Sequence, residues 1–376
     1  MLPTKICTGC KACGEICSIK CISFENNNEG FWYPQIDAGK CVHCGHCEQV
    51  CPVLHAADWN QAEALPEAIA AWSRNRDTRA ASSSGGIFGE LAAAVITENG
   101  VVCGAAADPN LSVKHVIAES LSELEQLRGS KYVQSDVEDC YCIVQQYLKS
   151  ERAVLFSGTP CQVAGLKSYL GHDYENLITV DIICHGVPSP LVWEQYLAHH
   201  KKTFQAKPQK ASFRDKTDGW TNFSMAMQFE DGREYRRSLK DDAYMKAFLQ
   251  NLCLRESCYK CSFKSIRRVS DLTIGDFWGV DKVLPGINDD QGISLVLLQS
   301  EKGREIFQKI QSKVSAKAVD CLAAVDLNGA AEHSVYRHPF RDYFFLKLPN
   351  SNFEKLVQDC LSPNYLVRLE RKLRSR

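Results

Sequence analysis

Cys7-Thr-Gly-Cys10-Lys-Ala-Cys13-Gly-Glu-Ile-Cys17 stands near the start of the chain, and Cys41-Val-His-Cys44-Gly-His-Cys47-Glu-Gln-Val-Cys51-Pro52 repeats its spacing. A C-x2-C-x2-C-x3-C comb lets three thiolates curl around one cubic iron–sulfur cluster. Where the comb occurs twice, the fourth cysteine of each run ligates the cluster of the other. The spacing therefore predicts one 4Fe–4S cluster on Cys7, Cys10, Cys13 and Cys51, and another on Cys41, Cys44, Cys47 and Cys17.

Structural zinc also uses C-x2-C pairs, but it would leave the third and fourth cysteine of each run without a role. The segment reads instead as a bacterial-ferredoxin-like module, and a protein that carries one moves electrons. Ser18 stands where proline often follows the fourth cysteine, which alters a turn and removes no ligand. His43 and His46 lie between ligands and read as loop-filling or hydrogen-bonding residues, because each cluster already has four sulfurs.

The chain's 376 residues exceed what one compact core fills, so more than one domain is expected. With 24% charged residues and a net charge of −1, it lacks the basic excess of a nucleic-acid binder. No apolar run approaches the roughly 18 residues of a membrane helix. Cys7 follows Met1 too closely for a signal peptide. Nineteen cysteines in such a chain read as ligands and thiols kept reduced in the cytoplasm. Exposed clusters are oxygen-labile, so an anaerobic or microaerobic cell is expected.

The module is expected over 1–55, a linker over 56–67, and a larger domain over 68–345. In that domain Ser84-Gly85-Gly86 opens an apolar helix (Ile87, Leu91, Val95, Ile96) that stops at Asn99-Gly100. A strand at Ala153 to Phe156 runs into Gly158-Thr159-Pro160-Cys161 and a helix. Another, Leu177 to Ile183, ends at Cys184-His185-Gly186. This alternation predicts an α/β (mixed α+β) catalytic domain with a partly parallel sheet. Both cysteine-bearing turns follow strand C-termini, where open sheets place their ligands. Lys210 to Leu239 alternates around Asp231-Gly232 and reads as an antiparallel hairpin excursion. The segment 346–376 reads as a helical basic tail with Leu366, Leu369 and Leu373 on one face, a solvated helix or a partner or membrane-surface contact.

Outside the combs, Cys258-x2-Cys261 stands out, with Cys161 and Cys184 in loop-like turns. The four could hold a third cluster, or Cys161 and Cys184 could be small buried hydrophobes. Spacing alone leaves both open.

The motifs taken together are more specific. Ser84-Gly85-Gly86, Gly129-Ser-Lys131-Tyr132, Gly158-Thr-Pro-Cys161-Gln162, Cys184-His-Gly186, and Cys258-x2-Cys261 before Ile274-Gly-Asp276-Phe-Trp278-Gly279 follow one another in order. The chain resembles the β-subunit family of the deazaflavin (coenzyme F420) hydrogenases and dehydrogenases, and is similar to the 7-hydroxymethyl chlorophyll a reductases of that family. The resemblance covers roughly Ile6 to Leu298. It implies a third 4Fe–4S cluster on Cys161, Cys184, Cys258 and Cys261, and FAD near Ser84, Gly85, Gly86, Lys131, Tyr132, Thr159 and Pro160. Gly85-Gly86 at a helix N-terminus would suit a pyrophosphate, although serine-capped helix entry explains the same residues.

His185 adjoins a cluster ligand and is expected either to deliver a proton to substrate or to tune the cluster by a hydrogen bond. Asp276 is the second catalytic candidate, and Trp278 either contacts cofactor or packs in the core. Arg214-Asp215-Lys216 meets an anionic substrate or forms a solvated loop. Cys21, Cys103, Cys321 and Cys360 read as structural, and Cys253 as a spare near the third cluster. Three functions follow. The first is a flavin-dependent iron–sulfur oxidoreductase that exchanges electrons with ferredoxin or deazaflavin and acts on a small-molecule substrate. The second is an electron-transfer subunit of a larger dehydrogenase or hydrogenase complex. The third is a thiol–disulfide reductase using Cys140 and Cys142, although on a helix these would face different ways. A homo-oligomer or a partner subunit is compatible with each.

Overall fold

The computed structural model describes residues 2–3, 5–57 and 64–362. Half of the linker expected at 56–67, residues 58–63, lies outside the described residues, as does the expected tail beyond 362 with Leu366, Leu369 and Leu373. The first part of that expected tail is not solvated: the helix Phe353–Leu361 packs Phe353, Leu356 and Val357 into the larger domain's aromatic cluster.

The N-terminal module pairs β1 (Ile22–Asn26) with β2 (Trp32–Ile36) antiparallel, and short helices Ala12–Glu15 and His46–Gln49 follow the cysteine loops. The rest of the chain forms β3 (Glu67–Ser73), β4 (Val101–Ala107), β5 (Val113–Ala118), β6 (Val154–Gly158), β7 (Leu177–Ile182), β8 (Pro208–Asp215), β9 (Ser224–Phe229), β10 (Glu234–Ser238), β11 (Leu272–Asp276), β12 (Ser294–Leu298) and β13 (Val314–Val319). Eight of these make one sheet in the order β13-β3-β12-β11-β7-β6-β4-β5. Its centre is parallel, with β4 beside β6, β6 beside β7 and β7 beside β11; the outer pairings are antiparallel. The fold is the expected α/β domain with a ferredoxin-like module.

Strand periodicity explains how the sheet is covered, because successive side chains point to opposite faces. Val102 and Leu155 pack with the helices Ile87–Thr97 and Glu301–Lys309. Their neighbours Val101, Cys103, Val154 and Phe156 pack on the other face with the helices Cys140–Lys149 and Pro160–Leu170. Central strands sandwiched this way read as continuous apolar runs, as β12 does with all five residues buried. The expected hairpin excursion is a separate antiparallel ribbon in the order β10-β9-β8. It packs Phe213, Phe223, Met225, Met227 and Phe229 onto Trp193, Tyr196 and Tyr244.

The module is keyed into the larger domain. Phe31, at the hairpin turn, is fully buried in the same aromatic cluster as the ribbon. Arg255, also fully buried, donates from Nε to the Cys7 carbonyl at 2.7 Å and from Nη2 to the Trp32 carbonyl at 2.8 Å. Arg341 forms a two-pronged pair with Glu29 at 2.6 Å through each nitrogen. Ordered carbonyl acceptors satisfy these buried cations, which would otherwise be expensive to desolvate. These contacts tie the first comb and the hairpin of the module to the larger domain.

Candidate electron-transfer site

The combs build two matched loops. Gly9 and Lys11 flank Cys10 with positive φ (73° and 64°), and His43 and Gly45 flank Cys44 in the same way (54° and 81°). Left-handed residues on either side of the middle cysteine curl the backbone so that amides turn toward sulfur, as where Gly9 N–H donates to Cys7 Sγ at 3.4 Å. His43 is thus a loop residue in a position that glycine fills in the first comb. Burial, then the neighbouring thiols of Cys13, Cys7 and Cys51, push the Cys10 thiol far above its usual range. Cys13 is raised by burial and then by Cys7, Cys51 and Cys47. Cys51 therefore sits with the first comb, as crossed ligation requires. Cys17 lies toward the second: Cys21 touches its sulfur at 3.4 Å and is also influenced by Cys41. Cys21, read from sequence as structural, is buried beside this ligand.

A second group of thiols assembles at the C-terminal ends of the parallel strands. The register of β6 on β7, Gly158 opposite Asp181, sets the turns carrying Cys161 and Cys184 side by side. Cys161 sits in the first turn of the helix Pro160–Leu170. That helix starts with proline, has a Thr159–Gln162 capping box and ends at left-handed Gly171. Cys258 and Cys261 come from the short 3-10 turn Glu256–Lys260 and the residue after it. Val187 N–H reaches Cys258 Sγ at 3.4 Å, and Ser334 Oγ accepts from Cys261 N–H at 2.9 Å. All four thiols line one small cavity with Thr8, Lys264 and Arg268. Burial pushes the Cys161 and Cys258 thiols up, and each is raised further by the other cysteines of the set. Four half-buried thiols lining one small cavity suit a thiolate-ligated iron–sulfur cluster. All nineteen cysteines are free thiols.

This set lies against the first comb. Cys161 is influenced by Cys10, and a Cβ added at Gly165, one helical turn on, would stand 3.2 Å from Cys10 Sγ. Cys253, the expected spare, is elsewhere: it is fully buried in the aromatic cluster of the ribbon.

On the other side of Cys184 and His185 opens a cavity of about 700 Å³, beyond the carboxyl ends of β4, β6, β7 and β11. That volume is within the range of small-molecule and cofactor sites. Ser84, Gly86, Lys131, Tyr132 and Thr159 line it, with apolar walls from Ile87, Phe88, Phe248, Leu249 and Trp278. Gly85 and Pro160 do not. Gly85 spends its N–H on Ser294 Oγ at 3.0 Å, and a Cβ there would fall 2.4 Å from the Ala71 carbonyl. It is a packing glycine rather than a phosphate-binding one. Pro160 lines the thiol cavity instead.

Asp276 faces the cavity but is fully engaged. Arg214 holds both its oxygens, at 2.6 and 3.0 Å, and Trp220 Nε1 donates to Oδ1 at 2.7 Å. Trp220 also stacks on Trp278, 4.9 Å and 7° apart. Both oxygens of the catalytic candidate Asp276 are thus taken by donors from the ribbon, which it anchors to the sheet. His185 Nε2 lies 2.7 Å from Asn251 Oδ1 and the ring meets Phe248 edge-on; burial lowers its pKa, which keeps it neutral. Cys140 is buried with its sulfur toward the His115 carbonyl at 3.4 Å, whereas Cys142 turns to Gln146. They are not a disulfide-forming pair. Arg214, expected to meet an anionic substrate or to sit in a solvated loop, is buried and paired with Asp276. Trp220 and Asn251 carry no sequence signal for this site, because the ribbon and a distant turn deliver them.

Lys131 donates to the carbonyls of Gln126 and Arg128 at 2.9 and 2.8 Å, and burial lowers its pKa to about 7. The unfolded chain holds this proton up to about pH 10.4, so between the two values it binds more protons than the fold does. Stability therefore rises with pH across that window. The slope from urea denaturation at pH 6.5 to 8.5 is expected to be shallower in Lys131→Met; identical slopes would refute it.

Residues 151–321 match the family model for the C terminus of the coenzyme F420 hydrogenase/dehydrogenase beta subunit, and 68–140 match its N-terminal counterpart. Residues 6–54 match a 4Fe-4S dicluster domain. The chain belongs to the coenzyme F420 hydrogenase/dehydrogenase beta-subunit family. It is also similar to an F(420)H(2) dehydrogenase subunit of Methanosarcina mazei, 21% identical over 347 residues, covering 87% of this chain and 91% of that protein. A chain of the F420-reducing nickel–iron hydrogenase complex from Methanosarcina barkeri aligns with a TM-score of 0.47 at 16% identity, over 82% of this chain and 93% of that one. Among the described residues of this family member, no helix is long and apolar enough to cross a membrane.

Proposed function

We propose that this chain is an iron–sulfur electron-transfer subunit of a deazaflavin-linked dehydrogenase or hydrogenase complex, holding three 4Fe–4S clusters and FAD. The matching family and relative are both described as subunits, which favours the subunit reading over a self-sufficient enzyme. Bound clusters carry electrons singly, and a flavin gathers two for hydride exchange. The observation that carries the reading is the placement of the third thiol set. Cys161 adjoins Cys10 of the module, while Cys184 lines the 700 Å³ cavity.

The residues define an order from surface to interior. Cys44 is exposed, Cys10 is buried, and the set of Cys161, Cys184, Cys258 and Cys261 lies between Cys10 and the cavity. In the cavity Lys131 is a partly desolvated cation without a carboxylate partner among the described residues, and the amides at Gly86 open a helix. Both suit the phosphates of a dinucleotide. The Phe248 and Trp278 walls suit a planar ring. His185, hydrogen-bonded to Asn251, stands between thiols and cavity, where it can hold a proton or a hydrogen bond. Electrons pass to or from a ferredoxin or deazaflavin carrier or a partner subunit.

Anaerobic purification with iron, sulfide and flavin counted per chain tests this. About twelve irons and one FAD are expected. About eight irons and no flavin would leave a two-cluster module on a domain that binds neither group.

A further inference from the structure

Lys264 belongs to no motif, yet it is built into the third thiol set. Its ammonium donates to the carbonyl of Cys184 and to that of Ala330 at 2.7 Å, and it lines the same cavity as the four thiols. Among the described residues it has no carboxylate partner, so its charge faces the cavity unopposed. The other cation on that wall, Arg268, is partly offset by fully buried Asp181 at 3.4 Å.

We propose that Lys264 sets the reduction potential of the third site, making it the station beside the large cavity where electrons collect. This rests on the reading that Cys161, Cys184, Cys258 and Cys261 hold a 4Fe–4S cluster. Such a cluster with its four thiolates goes from net charge −2 to −3 on accepting one electron from an external reduced carrier; no bond or proton changes. A fixed positive charge stabilises the −3 state more than the −2 state, and does so more strongly in a desolvated cavity than in water. Lys264 acts through the cluster ligands and is a positioning charge rather than a catalytic residue.

Redox titration of the whole anaerobic protein, followed by electron paramagnetic resonance, reads the potential at each site. In Lys264→Gln one of the three midpoints is expected to fall by the equivalent of about tenfold in the reduction equilibrium, about 59 mV for one electron. The other two should stay in place, and Lys264→Arg should restore the first. Asp181→Asn removes the charge that offsets Arg268 and is expected to move the same midpoint upward. A mere clamp on the Cys184 loop would change iron content and leave potentials alone. Full iron loading with no midpoint moved in either variant, or all three moved together, overturns the proposal. So does loss of four irons from Lys264→Gln with the Asp181→Asn midpoints unmoved. About eight irons in the unmutated chain would instead sink the three-cluster reading itself.

Discussion

Cys161→Ala is expected to lose about a third of the iron while the N-terminal module keeps the spectrum of its own two clusters. The reason is the separateness of the thiol sets. Cys161 shares a cavity with Cys184, Cys258 and Cys261, whereas Cys7, Cys10, Cys13 and Cys51 are held by the module's own loops. Reduced ferredoxin or dithionite should still bleach the module, but electrons should no longer reach an acceptor in the large cavity. The measurement is iron per chain together with stopped-flow reduction of bound flavin. Unchanged iron, or undiminished flavin reduction, would show that the third set holds no relay. The bland reading of Cys161 as a core thiol predicts that second outcome.

Arg341→Met should be the most destabilising single change at the junction of module and larger domain, costing about 3–5 kcal/mol. Arg341 is 1% exposed, bonds both oxygens of Glu29, and donates to the Leu254 carbonyl at 3.0 and 2.8 Å. Its guanidinium also lies 4.7 Å from the Phe345 ring centre. Methionine fills most of that volume but leaves the Glu29 carboxylate and the carbonyl without donors. Urea unfolding of the reconstituted protein measures the loss. Adding Glu29→Gln should recover part of it, because the variant then strands no charge. A loss below about 1 kcal/mol would mean that the pair behaves as a surface salt bridge.

How much of this is legible in the sequence follows from how far each feature reaches along the chain. The combs can be read directly, since three ligands within one loop impose their spacing on the sequence. The crossing of Cys51 to the first set follows from the same pattern. Helix entry at Thr159-Pro160 and the buried strand β6 are equally plain, because caps and apolar runs are local. The pairing of Cys161 and Cys184 with Cys258 and Cys261 is visible only through a family resemblance, since no spacing rule joins three separate turns.

Other features have no local trace. Asp276 looks catalytic at a strand end, yet Arg214 and Trp220 occupy its carboxylate, and both come from the ribbon that folds back over the sheet. Gly85 looks like a phosphate loop, but the approach of the Ala71 carbonyl explains it. Cys253 looks like a spare ligand and proves to be core. By itself the sequence determined that this protein carries ferredoxin-type clusters on an α/β domain, because thiolate spacing and side-chain period are properties of neighbouring residues. Only the tertiary structure decided which thiols lie between the module and the cavity, which carboxylate is held, and which lysine is left unopposed. Those depend on strand register and ribbon docking, which bring together residues far apart along the chain.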